Sequence, residues 1–375
     1  MTLEKRIKDQ LAEIEAKGLT RKMASPQGID LSSNNYLCLA KDERLKVAML
    51  EAVKRDGVGS TASRLLRGHR NCFAEIEKQF ARWKGAERSL YFNSGYQANI
   101  GVLPAFLRAG DVVFSDELNH ASLIDGMRLA KSRKVIFPHL DAEKLEKLLR
   151  ETDCEGEKFL VTESLFSMDG DLAPLSEYAR ICAETGTNLI VDEAHAVGIY
   201  GEKGSGLIEQ SGIADQVFLS INTAGKALGV GGAFIAGPEW AIDYLINRCR
   251  SFIYSTAPVP AVADALEVAI EIVEKEKTLR DNLLYLSRFL RFLLNENGIA
   301  VPVDNSQIIP VIIGDSEKTV SLAADLQSAG FDVRAIRPPT VPEGAARLRL
   351  SVNTCLDENI LRNFVDTLKL LIDPV

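Results

Sequence analysis

Histidine, long apolar runs and net positive charge are all scarce in this chain, and each scarcity excludes something. The four histidines, His69, His120, His139 and His195, never fall at metal-ligand spacing, and no G-x-S-x-G elbow accompanies them. Metal catalysis and serine hydrolysis therefore lack support. The six cysteines, Cys38, Cys72, Cys154, Cys182, Cys249 and Cys355, include no C-x-x-C pair, so they read as buried thiols of a reducing compartment rather than a zinc site or a disulfide framework. No run reaches the roughly 18 apolar residues of a membrane span. Residues 1–18, MTLEKRIKDQLAEIEAKG, set Leu3, Ile7, Leu11 and Ile14 at helical spacing among charges, unlike the continuous apolar core of a signal peptide. A soluble, cytoplasmic chain is expected. With 44 basic against 52 acidic side chains, the net charge of -8 opposes attraction to nucleic acid or anionic membranes.

What is present is ample apolar material, 46% of 375 residues, enough for about two packed units. After the N-terminal helix, IDLSSNNYLCLA reads as an extended arm. The apolar runs DVVFSD, KVIFPHL, KFLVTES, NLIVDEAH, QVFLSIN and GAFIAG then alternate with helical stretches. That pattern predicts an α/β fold with a mostly parallel sheet covered on both faces, whose ligand sits at the carboxyl ends of the strands. A long helical region over 258–298 leads to an α+β part: strand QIIPVIIG, helix EKTVSLAADLQSAG, strands FDVRAIR and RLRLSVN, helix ENILRNFVDTLKLL. The expected division is an arm at 1–45, a large domain at 46–257, and linker helix plus small domain at 258–375.

Three motifs carry chemistry. In VDEAH, residues 191–195, Asp192 closes an apolar strand, where a partly desolvated carboxylate needs a partner such as a protonated pyridinium nitrogen. A carboxylate capping the next turn fits this motif equally well. His195 lies three residues on, within reach of a phenolic oxygen, although a lone histidine is more often structural. In NTAGKALGVGG, Lys226 follows a strand amid Gly225, Gly229, Gly231 and Gly232, which allow close approach of the backbone to a ligand, and Thr223 offers a hydroxyl to a phosphate. A desolvated lysine here can form an imine and shuttle protons; a solvated lysine in a glycine turn is the commoner meaning of an isolated Gly-Lys pair. Ala227 after the lysine, and Ser220 in place of the upstream glycine, rule out a Walker A loop. In FNSGYQAN, residues 92–99, Ser94, Gly95 and Tyr96 open a helix whose N–H groups suit an anion. Gly57, Gly59 and Ala62 fit G-x-G-x-x-A, but charged, helical EAVKRD precedes them, so NAD is not expected.

Together these residues resemble the α-oxoamine synthases, fold-type I enzymes dependent on pyridoxal 5'-phosphate (PLP). The resemblance covers nearly the whole chain, in order: SSNNYLCLA, TESLFSMDGDLAPL, VDEAHAVGIYGEKGSG, TAGKALGVGG, FIYSTAPVP and RLRLSVN. It implies a large PLP-binding domain, a smaller C-terminal domain, and a homodimer with a shared active site. By resemblance, Lys226 forms the Schiff base, Asp192 pairs with the ring nitrogen, His195 contacts the phenolic oxygen and His120 stacks on the ring. Ser94, Gly95, Tyr96 and Thr223 hold the phosphate, with Thr256 reaching it from the second subunit, while Glu163 and Ser167 line the pocket. Arg349 and Asn34 bind the amino-acid carboxylate, and Arg21 and Arg337 serve the acyl substrate. The run AIRPPTVPEGAARLRL most resembles the branch that joins L-alanine to a pimeloyl thioester with loss of CO2. The rivals are a sister enzyme using glycine or serine with another acyl group, and a non-catalytic protein on the same fold. One departure is Phe73, which stands where the family carries a histidine, a change expected to reshape the acyl side of the site.

Overall fold

The computed structural model describes residues 1–21, 23–303 and 306–372. They form two compact units, one of residues 34–167 and 171–283, the other of residues 1–33, 168–170 and 284–375.

The first unit is built on a seven-stranded sheet. Its strands are β1 (Arg88–Phe92), β2 (Val112–Asp116), β3 (Arg133–Phe137), β4 (Lys158–Glu163), β5 (Thr187–Asp192), β6 (Leu219–Thr223) and β7 (Ala233–Gly237), in the order β1-β7-β6-β5-β4-β2-β3. Strands β2 to β6 run parallel. Their apolar residues, such as Val113, Phe114, Leu160, Ile190 and Ile221, are completely buried, as expected for strands covered on both faces. Strand β7 pairs antiparallel with both β6 and β1. Residues 224–232 between β6 and β7 are too few for a parallel crossover, which needs about a dozen, so the loop bearing Lys226 is a wide hairpin. Gly232 closes it with φ +89°, where a Cβ would lie 2.4 Å from the Tyr91 ring.

The helix Asn71–Lys84 covers this antiparallel edge. Phe80 stacks on Phe234 with centroids 4.1 Å apart and planes 7° from parallel; such a pair adds about 0.5–1.5 kcal/mol to the area it buries. Phe73 lies in the same aromatic cluster, fully buried, 6.3 Å from Tyr91 and under the Arg64 guanidinium at 4.9 Å. It is a core residue.

The second unit carries the antiparallel sheet Ala335–Ile336, Ala346–Ser351, Ile308–Gly314 with the helices Ser316–Ser328 and Glu358–Ile372. FDVRAIR, expected as one strand, is divided. Phe331–Asp332 pairs parallel with Ile29–Asp30, while Ala335–Ile336 pairs with the 346–351 strand. The start of the expected arm is thus a strand partner. The helical region 258–298 breaks at Glu276 into Pro260–Lys275 and Lys277–Glu296. Cys72, Cys182 and Cys249 are buried free thiols and Cys154 a half-buried one. Asp56, Cys72 and Asp264 gather potential ligand atoms within 4.8 Å of one another, and the Arg55 guanidinium bridges the two carboxylates. Among the described residues, no helix is long and apolar enough to cross a membrane.

Candidate functional site

In the first unit the carboxyl ends of the parallel strands deliver Asp116, Glu163, Asp192 and Thr223 to one edge, where ligands of open α/β sheets bind. Asp192 is 6% exposed. Its Oδ1 accepts from the Ala194 N–H at 2.9 Å and its Oδ2 from Asn99 Nδ2 at 2.9 Å. Glu163 stands beside it in register on β4. Burial, reinforced by the Asp192 charge and opposed by Lys226 and the His120 N–H, pushes the Glu163 carboxyl up to about 8.

Lys226 is half-buried, and its Nζ lies 2.7 Å from His195 Nε2. His195 is 5% exposed, and its Nδ1 lies 2.7 Å from the Tyr36 hydroxyl. His120 caps the helix Ala121–Leu129 and gives its backbone N–H to Glu163 Oε1 at 2.5 Å. Its Nδ1 is 2.7 Å from Ser122 Oγ, which accepts from Asn99 Nδ2 at 2.9 Å. Hydrogen bonds thus run from His120 through Ser122 and Asn99 to Asp192. Desolvation holds the His120 imidazole below the usual histidine range, outweighing the Asp192 charge.

Ser94 caps the helix Gly95–Phe106, accepting from the Gln97 N–H at 3.2 Å. A Cβ on Gly95 would lie 2.6 Å from Thr223 Oγ1, so glycine keeps a small hollow between the helix start and the strand end. The Tyr96 hydroxyl donates to Asp125; what Tyr96 presents at the helix start is its N–H. Thr256 is exposed and bridges to Ser63, and its carbonyl accepts from Asn93 Nδ2 at 3.0 Å. Ser167 and Asn34 are half-buried members of this unit. The remaining residues named from sequence belong to the second unit. Arg349, on strand 346–351, is 7% exposed and donates to Ser351 Oγ at 2.7 Å. Arg337 donates to the carbonyls of Gly18 and of Thr20, the latter at 2.9 Å, directly before exposed Arg21.

Sequence reasoning missed Asn99, Ser122 and Tyr36. A signal existed for Asn99, a polar residue in the otherwise apolar stretch ANIGVLPAF, and it is 1% exposed. Tyr36 had none, because its partner His195 is 159 positions away.

The model of the aminotransferase class I and II family matches residues 26–368. The 8-amino-7-oxononanoate synthase of Geobacter sulfurreducens is 42% identical over 374 residues, 96% of each chain. That of Lysinibacillus sphaericus is 39% identical over 360 residues, 92% of each. The solved serine palmitoyltransferase of Sphingomonas wittichii superposes with a TM-score of 0.93 at 29% identity, over 99% of this chain and 98% of that one. The 8-amino-7-oxononanoate synthase of Francisella tularensis does so with a TM-score of 0.80 at 27% identity, over 92% and 98%. A serine palmitoyltransferase of S. paucimobilis with a TM-score of 0.92 at 26% identity, over 99% of this chain and 98% of that one, is solved with bound PLP. The resemblance read from the motifs and the fold-type I architecture both hold: the chain belongs to the aminotransferase class I and II family.

Proposed function

We propose that the chain uses PLP to join L-alanine to a pimeloyl thioester, releasing CO2, the thiol carrier and 8-amino-7-oxononanoate for biotin biosynthesis. The observation that carries the chemistry is the Lys226 Nζ to His195 Nε2 contact at the strand edge that holds Asp192. Likeness to two 8-amino-7-oxononanoate synthases along nearly the whole chain supports the choice of substrates.

The residues present fit the cofactor. A carboxylate 6% exposed at a strand end, as Asp192 is, suits a cationic ring nitrogen. The hollow that Gly95 leaves beside Thr223 Oγ1, at the start of a helix, suits a phosphate. In this reading Lys226 carries PLP, Asp192 faces the ring nitrogen, His120 the ring and His195 the phenolic oxygen. Ser94, Gly95, Tyr96 and Thr223 hold the phosphate, and Glu163 and Ser167 line the pocket. When bound, PLP supplies a carbonyl that links to the substrate amine and a ring that takes up the electron pair left at Cα.

The chain's own residues do the rest. The freed Lys226 amine takes the Cα proton and later returns it. The depressed His120 keeps its imidazole neutral near pH 7, so it can face a cationic ring without repulsion. Arg349 and Asn34 are assigned to the alanine carboxylate. Arg337 and Arg21 are assigned to the distal carboxylate of the acyl chain, which needs a cation where an acetyl or palmitoyl chain does not. The reading places the enzyme in the cytoplasm as a homodimer, with Thr256 reaching the partner's phosphate site. Leu65, Leu66 and Tyr254, exposed at 50%, 83% and 73%, lie on the two segments joined by the Ser63–Thr256 bridge and support such an interface. It also keeps a functional division at 1–45, 46–257 and 258–375.

A panel of alanine, glycine and serine against pimeloyl-, acetyl- and palmitoyl-CoA, read by thiol release, tests the substrates. Release with alanine and pimeloyl-CoA is expected. Release only with glycine and acetyl-CoA, or only with serine and palmitoyl-CoA, would overturn the reading.

A further inference from the structure

His120 stands at the start of the helix Ala121–Leu129, and its side chain turns back to cap that helix. Its Nδ1 accepts from the Ser122 backbone N–H at 3.2 Å and lies 2.7 Å from Ser122 Oγ. Ser122 is 1% exposed, and its Oγ accepts from Asn99 Nδ2 at 2.9 Å. The same Nδ2 donates to Asp192 Oδ2, also at 2.9 Å.

The hydrogens of this cluster can be placed one by one. The Asp192 carboxylate only accepts, so the Asn99 amide turns its NH2 group toward it. That leaves Asn99 Oδ1 buried with no hydrogen-bond partner among the described residues, yet the opposite orientation would set Oδ1 against the carboxylate. The two Nδ2 hydrogens therefore go to Asp192 and Ser122. A backbone N–H only donates, so the Nδ1 that accepts from Ser122 N–H carries no hydrogen of its own. The Ser122 hydroxyl hydrogen points to Nδ1 as well, and the single hydrogen of the neutral ring sits on Nε2. The other tautomer would set Nδ1–H against the Ser122 N–H and leave the Ser122 hydroxyl hydrogen buried without an acceptor.

We propose that Ser122 and Asn99 are positioning residues: Asn99, fixed on Asp192, orients the Ser122 hydroxyl, and Ser122 holds His120 as the uncharged tautomer with its hydrogen on Nε2. Under the function proposed above, His120 then offers the cofactor ring a neutral face and offers an N–H donor at its far edge. The tautomer itself does not depend on that function. Three ionisable groups bear on the imidazole. The Asp192 charge favours protonation, the Lys226 charge opposes it, and Glu163 accepts the His120 backbone N–H. A second ring hydrogen can bind at Nδ1 only after both hydrogen bonds into that nitrogen are broken, so Ser122 works against the pull of Asp192.

The test is a pH titration followed by nitrogen NMR of the 15N-histidine-labelled, PLP-loaded protein, with the His120 signal identified by its loss in His120→Gln. Wild type should show hydrogen on Nε2 and a bare Nδ1. Ser122→Ala removes one bond to the neutral ring and should raise the His120 titration midpoint by about one pH unit. Asn99→Leu should move it in the same direction, because the Ser122 hydroxyl loses the donor that orients it. Hydrogen–deuterium exchange at Cα of L-alanine without acyl donor should be slowed more by Ser122→Ala near pH 6 than near pH 8.5, since the extra protonation appears only at the lower pH. Hydrogen on Nδ1 of wild-type His120 would overturn the proposal, as would an unmoved midpoint in Ser122→Ala or equal slowing at both pH values. An unmoved midpoint in Asn99→Leu would remove Asn99 from it. If Ser122→Ala fails to fold, the wild-type tautomer and Asn99→Leu decide. Wild type that exchanges no alanine Cα proton would sink the assigned reaction instead, while the titration still judges the cluster.

Discussion

At the scale of single residues, the titratable group with the clearest consequence outside the site is His139. Its Nδ1 lies 2.8 Å from Asp116 Oδ1 and its Nε2 2.9 Å from Asp171 Oδ2, with the ring edge-on to Phe166. Burial alone would push the imidazole down, but the hydrogen bonds it donates to the two carboxylates outweigh it and lift the group to about 10. A histidine raised by its partners stabilises the fold fully below its unfolded value of about 6.5, and that contribution fades as pH rises through the folded value. His139→Gln should therefore cost about 3 kcal/mol near pH 6, where buried Asp116 and half-buried Asp171 lose their cation. The difference from wild type should shrink below about 1 kcal/mol above pH 10. Urea unfolding at pH 6 and pH 10.5 measures both; a gap independent of pH would contradict the charged bridge.

At the scale of elements, one buried ion pair ties the helix Asn71–Lys84 to the turn after β5. Lys84, 6% exposed, pairs with fully buried Glu193 and donates to the Ser205 carbonyl at 2.7 Å. Glu193 Oε1 also accepts the Ile208 N–H at 2.9 Å. Removing one partner of such a pair strands the other charge, so Lys84→Met should cost about 3–5 kcal/mol by chemical denaturation. A cost under about 1 kcal/mol would show that the pair is not what holds this turn.

Strands β2 to β7 were legible as short apolar runs, most clearly β2 and β4 to β7, because a strand buried on both faces is written without a polar break. The strand β1, RSLYF, was not, because a five-residue run between Arg88 and the helix-opening Ser94 carries no alternation or length to distinguish it from a loop. Its antiparallel pairing with β7 was equally hidden, since residues 93–232 lie between the two strands and nothing local in either records the other. FDVRAIR reads as one strand, yet its two halves pair with partners from opposite ends of the chain, which no local pattern records.

At the scale of the whole molecule, the legible part of the site was what sits at strand ends and glycine loops. Asp192, Lys226, Thr223 and the Ser94–Tyr96 turn are marked by where an apolar run stops. What supports them was not legible, because Asn99 meets Asp192 across 93 positions and Tyr36 meets His195 across 159. The arginines assigned to the substrates, Arg21, Arg337 and Arg349, came from motif resemblance alone, since a buried strand arginine such as Arg349 has no periodic signature. The central claim is that the chain carries its cofactor on Lys226 and uses that amine as acid and base. Borohydride reduction of the PLP-loaded protein, followed by mass mapping of its peptides, tests this most directly. The peptide containing Lys226 should carry the reduced cofactor in wild type, and Lys226→Ala should carry none; label on a different lysine, or no covalent label at all, would contradict the account.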